Sequence, residues 1–317
     1  MDQTPAPTSS TDEQAPVRSV AVLGLGAMGL PMATRLSTGL EVRGFDIAEA
    51  RLDLARERGV TPFASAAEAV EGADALLLAV RDGAQLEDVL FGKTGVAEHL
   101  AEGAVVLLTS TVGVSALVAV VERLEALGVD VVDAPLSGGP ARAGAGDLLV
   151  VVGATPAARA KAAPVLDLLA STLTVVGDRP GDGQALKTVN QLLCGVHVAA
   201  AAEALALADS LGLDLERTLE ALTAGAADSF MLGNRGPRML QAHSEGGAEV
   251  LSRLDIFVKD LGIVGDAARA AHVAAPTAAA AEQLFLLGAT QGMGELDDSA
   301  LLRVLRPQRS DAGAAED

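Results

Sequence analysis

Cysteine and the large aromatic residues are nearly absent from this chain of 317 residues, which contains one Cys and neither Trp nor Tyr. The single cysteine, Cys194, excludes an internal disulfide and any metal site built from several cysteines. The four histidines, at positions 99, 197, 243 and 272, have no ligand spacing, so no metal site is expected. Few thiols and no signal-like segment after Met1 favour a cytoplasmic protein.

Positive charge is scarce as well, because 23 Lys and Arg face 42 Asp and Glu, a formal net charge of -19. Such a chain repels polyanions, so neither nucleic acid nor an anionic membrane surface is an expected partner. Half of the residues are hydrophobic, but the best candidate for a long apolar run, residues 192–208, contains His197 and Glu203. No membrane span is therefore predicted.

Lysine supplies only four of the 23 basic residues, at positions 93, 161, 187 and 259. Where arginine supplies most of the plain positive charge, a lysine is a candidate for its titratable amine, which arginine cannot replace. For Lys93 and Lys161, which lie in polar surroundings, an ordinary surface position is the favoured interpretation.

The hydrophobic pattern divides the chain into two zones. Over residues 17–180, short β-branched runs such as SVAVLGL and ADALLLAV alternate with helical segments, which predicts an α/β domain with a Rossmann-type, mainly parallel sheet. Over 181–306 no strand pattern occurs, and a helical run extends from Gly183 to Leu211 before Gly212. This zone is predicted to be an all-α domain built on a long interdomain helix of about 40 Å.

The two ends of the chain have little to bury. Residues 1–16 are rich in Pro, Ser and Thr, and residues 307–317 are mostly small or charged. Both ends are therefore predicted to be disordered tails.

The segment SVAVLGLGAMGLPMATRL joins a strand pattern to a helix pattern through three glycines in G-x-G-x-x-G spacing. In this spacing the first glycine permits a tight turn, the second lets the backbone approach a pyrophosphate, and the third lets the helix pack on the sheet. The helix N-terminus offers free N–H groups to the phosphates. A dinucleotide is therefore predicted to bind at this turn, which consists of Gly24, Leu25, Gly26, Ala27, Met28 and Gly29.

One carboxylate bears on the choice of dinucleotide. Asp46 stands at the end of the next strand pattern, EVRGFD, 20 residues after Gly26. There it would accept hydrogen bonds from both ribose hydroxyls and repel a 2′-phosphate, so NAD is favoured over NADP. Arg43 and Arg51 are near enough in sequence to keep NADP as the alternative.

Three later segments carry candidate catalytic or substrate-binding groups. In DAPLSGG, the Ser137 hydroxyl and the N–H groups of a Ser-Gly-Gly turn can hold an oxyanion, with an ordinary turn as the alternative. Lys187, Asn190 and Gln191 are spaced i, i+3 and i+4 on one face of the long helix; a solvated face is the alternative, but the apolar flanks favour partial burial. In LDIFVKDLG, the Lys259–Asp260 pair is compatible with a buried ion pair or a capped surface charge.

The blocks GLGAMGLPMA, TSTV, DAPLSGG, GDGQALKTVNQ and FVKDLG occur in this order, and together they resemble the β-hydroxyacid dehydrogenase family, whose best-known member is 3-hydroxyisobutyrate dehydrogenase. The resemblance covers nearly all of residues 17–305, and within the family it is closest to the L-threonate dehydrogenase branch. It implies that Lys187 is the catalytic lysine. It also implies that substrate contacts are made by Ser137, Gly138, Gly139 and Asn190, and cofactor contacts near the nicotinamide by Thr111 and Lys259.

Two positions depart from the family pattern. Val80–Arg81 stands where the commonest pair is Leu-Pro, which puts one cofactor contact, at Val80, in question. Gln191 replaces the usual second Asn of the catalytic block and is one methylene longer, so it is expected to hold the distal end of the substrate differently.

The residue types suit the oxidation of a hydroxy acid. A lysine can take the hydroxyl proton and return it in the reverse direction, provided that burial or a second cation such as Lys259 lowers its pKa toward neutrality. Asn190 can hold a substrate hydroxyl or carboxylate without adding charge. Arg235, in the segment LGNR, either offsets the acidic field beside the substrate carboxylate or is a solvated loop arginine.

The predicted function is therefore an NAD-dependent dehydrogenase that oxidises a short hydroxy acid, with L-threonate as the first candidate, to its 2-oxo acid. 3-Hydroxyisobutyrate and tartronate semialdehyde are the alternative substrates. A non-catalytic dinucleotide-binding module is the alternative from another class, and the presence of Lys187 argues against it. A long apolar helix in a small second domain predicts a homodimer or homotetramer.

Overall fold

A computed structural model of the chain describes residues 16–306, so the tails predicted for 1–16 and 307–317 lie outside the described residues apart from Pro16. Within this range the expected order is present: a mainly parallel sheet with helices, followed by a helical region. The strands are β1 (Ser19–Leu23), β2 (Glu41–Phe45), β3 (Thr61–Pro62), β4 (Ala75–Leu78), β5 (Val105–Leu108), β6 (Asp130–Asp133), β7 (Leu136–Ser137), β8 (Leu148–Gly153) and β9 (Ala170–Gly177).

The strands form one sheet in the order β3-β2-β1-β4-β5-β6-β8-β7, with β9 paired to β8. From β3 to β6 all neighbours are parallel. Beyond that point β8 runs antiparallel to β6 and β7, while β9 runs parallel to β8. The hydrophobic pattern does not indicate β3 and β7, because a strand of two residues is too short to show alternation.

Helices connect the strands and then form the second half of the molecule. Those of the sheet region are α1 (Gly29–Leu36), α2 (Glu49–Glu57), α3 (Ala66–Val70), α4 (Gly83–Phe91), α5 (Val114–Glu125), α6 (Gly139–Ala145) and α7 (Pro156–Leu169). Those of the helical region are α8 (Asp182–Ser210), α9 (Leu215–Thr223), α10 (Phe230–Met239), α11 (Leu254–Ala270), α12 (Pro276–Thr290) and α13 (Leu302–Leu305). Two 3-10 turns complete the set, Ala97–His99 and Asp298–Leu301.

The sheet buries apolar residues on both faces, and every residue of β4 and β5 is buried. This explains why these strands are continuously apolar in sequence instead of alternating. The parallel strands end at one common edge, where β1, β2, β4 and β5 each lead into a loop. In doubly wound sheets ligands bind outside this carboxyl edge, on either side of the strand where the order reverses.

The helix α8 has 29 residues and begins and ends one residue before the predicted limits, Gly183 and Leu211. It packs against α9, α10, α11 and α12, and their core includes a stacked pair, Phe257 and Phe285, whose ring centroids are 5.0 Å apart. By length and composition alone α8 could cross a membrane. Its packing among four helices buries part of this apolar surface.

Candidate active site

The turn after β1 has the three glycine environments that the spacing predicts. Gly24 has φ 93, and a Cβ there would lie 2.4 Å from the Ala79 carbonyl oxygen. A Cβ on Gly29 would lie 1.8 Å from the Gly24 carbonyl oxygen. Nothing lies within 4 Å of a Cβ on Gly26. The first and third glycines are therefore required by packing, whereas the second leaves open space beside the backbone.

The rest of this turn suits a phosphate. Leu25 is buried and anchors the turn, while Ala27 is exposed at its tip. Met28 caps α1 without a side-chain hydrogen bond, and the first turn of α1 has no acidic residue. The first N–H groups of α1 thus have no side-chain acceptor, which is the condition for binding an anion at a helix N-terminus.

Two backbone hydrogen bonds hold the Asp46 carboxylate beside this turn. Its Oδ2 accepts a hydrogen bond from Leu25 N at 2.7 Å, and its Oδ1 accepts one from Ala48 N at 2.9 Å. A carboxylate has further lone pairs, so it can still accept the hydroxyls of a ribose. The fit of a dinucleotide is therefore supported by the open space at Gly26 and by the position of this carboxylate.

The two arginines that kept NADP as an alternative differ in the structure. Arg43 donates to the carbonyl oxygens of Ala69 (2.9 Å) and Glu68 (2.8 Å), and its guanidinium lies over the Phe63 ring. Arg51 is exposed in the first half of α2, and its side chain makes no hydrogen bond to the described residues. Of these two arginines, Arg51 is therefore the better candidate to bind a 2′-phosphate.

Lys187 lies on α8, one turn before Asn190. Its Nζ makes neither a hydrogen bond nor an ion pair with any residue between 16 and 306. Burial lowers the pKa of Lys187; the nearby Asp260 and Cys194 oppose this shift, and Lys259 adds to it. An amine with a lowered pKa and no internal partner is suited to exchange a proton with a ligand.

A chain of polar contacts runs beside Lys187 from α8 through α11 to the loop after β5. The Gln191 amide nitrogen donates to Asp260 Oδ2, and Asp260 Oδ1 lies 2.7 Å from Lys259 Nζ. Lys259 Nζ also donates to the Thr111 carbonyl oxygen at 2.6 Å. The Lys259–Asp260 pair is therefore an ion pair with a buried carboxylate and a partly exposed ammonium, which favours the first of the two alternatives that the spacing left open.

The neighbouring substrate candidates occupy two different settings. Asn190 is half-buried, and its Nδ2 donates to Gln191 Oε1 at 2.9 Å. Ser137 ends β7, and Gly138 and Gly139, with φ 142 and 76, lead into α6. Positive φ at both positions is a conformation that favours glycine.

Arg235 is not a solvated arginine. Its Nη2 lies 2.9 Å from Asp298 Oδ2, and its side chain is 13% exposed while that of Asp298 is fully buried. Burial raises the pKa of the Cys194 thiol on α8, and the positive charges of Lys187 and Arg235 oppose this shift. Arg235 therefore contributes positive potential to the site, reduced by its own partner.

The loop after β4 contains the position that departs from the family pattern. Val80 is half-buried against the sheet core, and Arg81 reaches across to α11, where its Nη2 lies 2.7 Å from Asp255 Oδ2. The pair joins the sheet region to the helical region at the surface. Exposed pairs of this kind stabilise a protein by roughly 0 to 1 kcal/mol.

Two further polar residues, Asp133 and Gln184, hold the site together and were not among the sequence candidates. Gln184 Oε1 accepts from the N–H groups of Val112 and Gly113, both at 3.0 Å, and its Nε2 donates to Asp133 Oδ1 at 3.0 Å. Asp133 Oδ2 accepts from Gly181 N and Gln184 N at 2.9 and 2.8 Å. Burial raises the pKa of Asp133, and these donors oppose the shift. The two residues thus fix the first turn of α8 to the ends of β5 and β6.

The structure therefore brings the main candidates for cofactor binding, together with the helix that carries Lys187, to one edge of the sheet. The dinucleotide turn follows β1, Asp46 follows β2, Val80 follows β4 and Thr111 follows β5. The helix α8 carries Lys187 in its second turn and is bonded through its first turn to the last residue of β6. No group of three or more His, Cys, Asp or Glu able to hold a metal ion occurs among residues 16–306.

Comparison with known proteins matches both halves of the chain. The NAD binding domain of 6-phosphogluconate dehydrogenase matches residues 19–177, and the NAD-binding region of NADP-dependent 3-hydroxyisobutyrate dehydrogenase matches residues 181–305. The L-threonate dehydrogenases of Escherichia coli K12 and Cupriavidus necator are 37% and 38% identical, over 90% of this chain and 94% and 96% of theirs. The crystal structure of a 3-hydroxyisobutyrate dehydrogenase from Salmonella typhimurium has a TM-score of 0.82 at 36% identity and covers 90% of this chain and 99% of that one.

Proposed function

The chain belongs to the 3-hydroxyisobutyrate dehydrogenase family of hydroxyacid dehydrogenases, and from this premise we propose that it oxidises L-threonate, or a similar sugar acid, to the 2-oxo acid with NAD. The names of relatives at 37% and 38% identity support this substrate. One structural observation supports the chemistry above all others: Lys187 Nζ makes no hydrogen bond or ion pair with residues 16–306, and burial lowers the pKa of this amine.

In the proposed reaction the neutral amine of Lys187 takes the proton of the substrate hydroxyl at Nζ. A dinucleotide bound at the glycine turn supplies the hydride acceptor. The Ser137 hydroxyl and the N–H groups of Gly138 and Gly139 hold the substrate carboxylate, because backbone donors at a helix N-terminus stabilise an anion without adding a titratable charge.

Lys259 has a different part in this proposal. Its ammonium is paired with Asp260 and holds the Thr111 carbonyl oxygen at 2.6 Å, so it fixes the loop after β5 on the cofactor side. Its positive charge also disfavours a proton on Lys187. Because Lys259 is engaged on two sides, it is a poorer candidate for the base than Lys187.

NAD is preferred to NADP in this proposal because Asp46 lies beside the glycine turn and Arg43 is engaged elsewhere. A 2′-phosphate next to the Asp46 carboxylate would meet a like charge. The family description of the second half names an NADP-dependent enzyme, so NADP is the competing cofactor, with Arg51 as its candidate ligand.

The experiment is a panel of hydroxy acids, L-threonate and 3-hydroxyisobutyrate among them, each with NAD and NADP, followed by the formation of reduced cofactor. The highest kcat/KM is expected for L-threonate with NAD. Tartronate semialdehyde is offered in the reducing direction. If the chain binds the dinucleotide but turns over no member of the panel, the non-catalytic module replaces the proposal.

We also propose that the chain is a cytoplasmic homodimer or homotetramer. On α8 the residues Leu186, Val189, Leu193 and Leu207 are 41%, 57%, 50% and 61% exposed. Their spacing places them along one side of the helix, and an apolar stripe of this length is typical of a subunit interface. Sedimentation velocity of the purified chain measures the assembly directly, and a monomer at micromolar concentration contradicts it.

A further inference from the structure

We infer that Gln191 fixes the orientation of the Asn190 side-chain amide, with its nitrogen bonded to the protein and its carbonyl oxygen presented to the substrate. In this orientation Asn190 selects an acid with a second hydroxyl beside the reacting one. The inference rests on the proposed function, because it concerns the substrate of the same site. It assigns Gln191 a positioning role instead of the direct substrate contact that its place in the sequence predicts.

The series of hydrogen bonds that fixes this orientation begins at Asp260, which is 2% exposed on α11. Its Oδ1 lies 2.7 Å from Lys259 Nζ, and a carboxylate in such an ion pair only accepts hydrogen bonds. The group that contacts Asp260 Oδ2 is the side-chain amide of Gln191. Because that contact requires a donor, Gln191 must turn its nitrogen toward α11, and its carbonyl oxygen then points the other way.

The orientation of Gln191 in turn determines the orientation of the Asn190 amide. Gln191 Oε1 can only accept, and Asn190 Nδ2 donates to it at 2.9 Å. The same nitrogen also donates to Cys194 Sγ at 3.4 Å. Both N–H bonds of the Asn190 amide are thus directed at the protein, which leaves Oδ1 as the free atom; it accepts no hydrogen bond from residues 16–306.

A count of protons then restricts what this oxygen can bind. The reacting hydroxyl carries one hydrogen, and in the proposed reaction that hydrogen goes to Lys187. Asn190 Oδ1 therefore has no hydrogen to accept from the reacting hydroxyl, and it would repel a substrate carboxylate. A second hydroxyl is the remaining donor on a small sugar-acid backbone.

This requirement separates 3-hydroxyisobutyrate from the other candidate substrates. L-Threonate, oxidised at the carbon beside its carboxylate, has a hydroxyl on the next carbon, within one bond of the reacting position. 3-Hydroxyisobutyrate has a single hydroxyl and cannot supply a second donor. The hydrogen bonds that connect Asp260, Gln191 and Asn190 therefore favour a 2,3-dihydroxy acid.

The first test compares L-threonate with its analogue that lacks the 3-hydroxyl but keeps the configuration of the reacting carbon. The unmodified chain is expected to prefer L-threonate by at least about tenfold in kcat/KM, because an unpaired acceptor in the site penalises the analogue. Asn190→Leu should reduce the ratio to about one, since the acceptor is lost. Asn190→Asp keeps an acceptor oxygen and should keep a clear preference.

The second test addresses Gln191 through Gln191→Glu. While the introduced carboxyl is protonated, it can donate to Asp260 and still offer its carbonyl oxygen to Asn190, so the preference should persist at low pH. As the pH rises and the introduced carboxyl loses its proton, two carboxylates face each other and the preference should fall several-fold. The charged or titratable groups near this position are Lys187 and Cys194 on α8, Lys259 and Asp260 on α11, and Arg235 on α10.

The ratio of the two substrates is the readout, because both depend on the same base and the titration of Lys187 cancels. The matched control is Glu203→Gln, which exchanges the same two residue types in the reverse direction at an exposed position of α8. It should leave the ratio unchanged at every pH. A ratio in Gln191→Glu that equals the unmodified value throughout, even with a changed melting temperature, overturns the positioning role. If the unmodified chain oxidises neither acid, the proposed function fails as well; equal rates with both acids overturn this inference alone.

Discussion

The two lysines of the site have the same side chain but different surroundings. Lys259 is held by Asp260 and by a carbonyl oxygen, whereas the amine of Lys187 has neither kind of contact with residues 16–306. Burial lowers the pKa of Lys187, so its neutral form is reached at a lower pH than for an ordinary lysine. A base is useful only when it is neutral, and this separates the roles of the two residues.

Replacement of Lys187 tests that separation. We expect Lys187→Ala to lower kcat by about 10²–10⁴ with dinucleotide affinity changed only a few-fold, because the amine acts on the proton and not on the phosphates. Lys187→Arg should be nearly as inactive, since a guanidinium stays protonated. In the unmodified chain, kcat/KM for oxidation should rise with pH as Lys187 loses its proton, with a midpoint below the usual lysine value of 10.5.

The control for these variants is Lys93→Ala, at an exposed position, which should retain full activity. A Lys187→Ala enzyme with more than about a tenth of the original kcat contradicts the assignment of the base. Reduction of the oxo acid needs the protonated amine, so its rate should fall over the pH range in which oxidation rises.

Asp46 can be tested independently of the chemistry. The carboxylate contacts Leu25 N at 2.7 Å, so it lies at the turn that the dinucleotide must reach. NAD should be preferred to NADP by at least tenfold in kcat/KM, about 1.4 kcal/mol. Asp46→Ala should remove that preference mainly by weakening NAD, and the double variant Asp46→Ala with Arg51→Ala tests whether Arg51 then binds the 2′-phosphate. An NADP preference in the unmodified chain contradicts the ribose contact.

At the scale of single elements, two glycines of the turn after β1 are expected to have different roles: Gly29 is needed for packing and Gly26 for binding. Gly29→Ala places a Cβ 1.8 Å from the Gly24 carbonyl oxygen, so helix and sheet must move apart, at a cost of about 1–3 kcal/mol in the free energy of unfolding. Gly26→Ala meets no protein atom within 4 Å and should leave the melting temperature nearly unchanged. It should weaken dinucleotide binding by at least tenfold, as measured by titration calorimetry. If Gly26→Ala binds normally, the dinucleotide does not lie at this glycine.

Sequence patterns predict elements better than they predict their contacts. The glycine turn, the long strands and α8 follow from periodicity and spacing, because these signals are local. The strand β7 and the Asp133–Gln184 contact do not, since one is two residues long and the other joins residues 51 positions apart. The orientation of the Asn190 amide depends on Asp260, 69 positions beyond Gln191, and no spacing rule connects them.

At the scale of the whole molecule, one buried amide joins the two regions. Gln184 bonds to the loop after β5 and to the end of β6, so it holds α8, and with it Lys187, against the sheet. Gln184→Met keeps the length of the side chain but leaves two N–H groups and a buried carboxylate without this partner. We expect a loss of about 3 kcal/mol in the free energy of unfolding, measured by urea denaturation.

The matched control is Gln283→Met on α12, where the glutamine is exposed and should cost less than about 0.5 kcal/mol. Equal stability of the two variants contradicts a structural role for Gln184. A loss of activity in Gln184→Met without a loss of stability would indicate that the amide positions Lys187 but does not hold the regions together.

The same contact determines where homologous chains can be recombined. A crossover at residue 180, between the last strand and the long helix, looks neutral because it interrupts no element. It nevertheless separates Asp133 from three of its donors, Gly181 N, Gln184 N and Gln184 Nε2, so a chimera inherits the carboxylate from one parent and its partners from another. Exchanging the first turn of α8 together with the sheet region keeps the set intact. Modular design within this family should therefore treat residues up to Gln184 as part of the nucleotide-binding half.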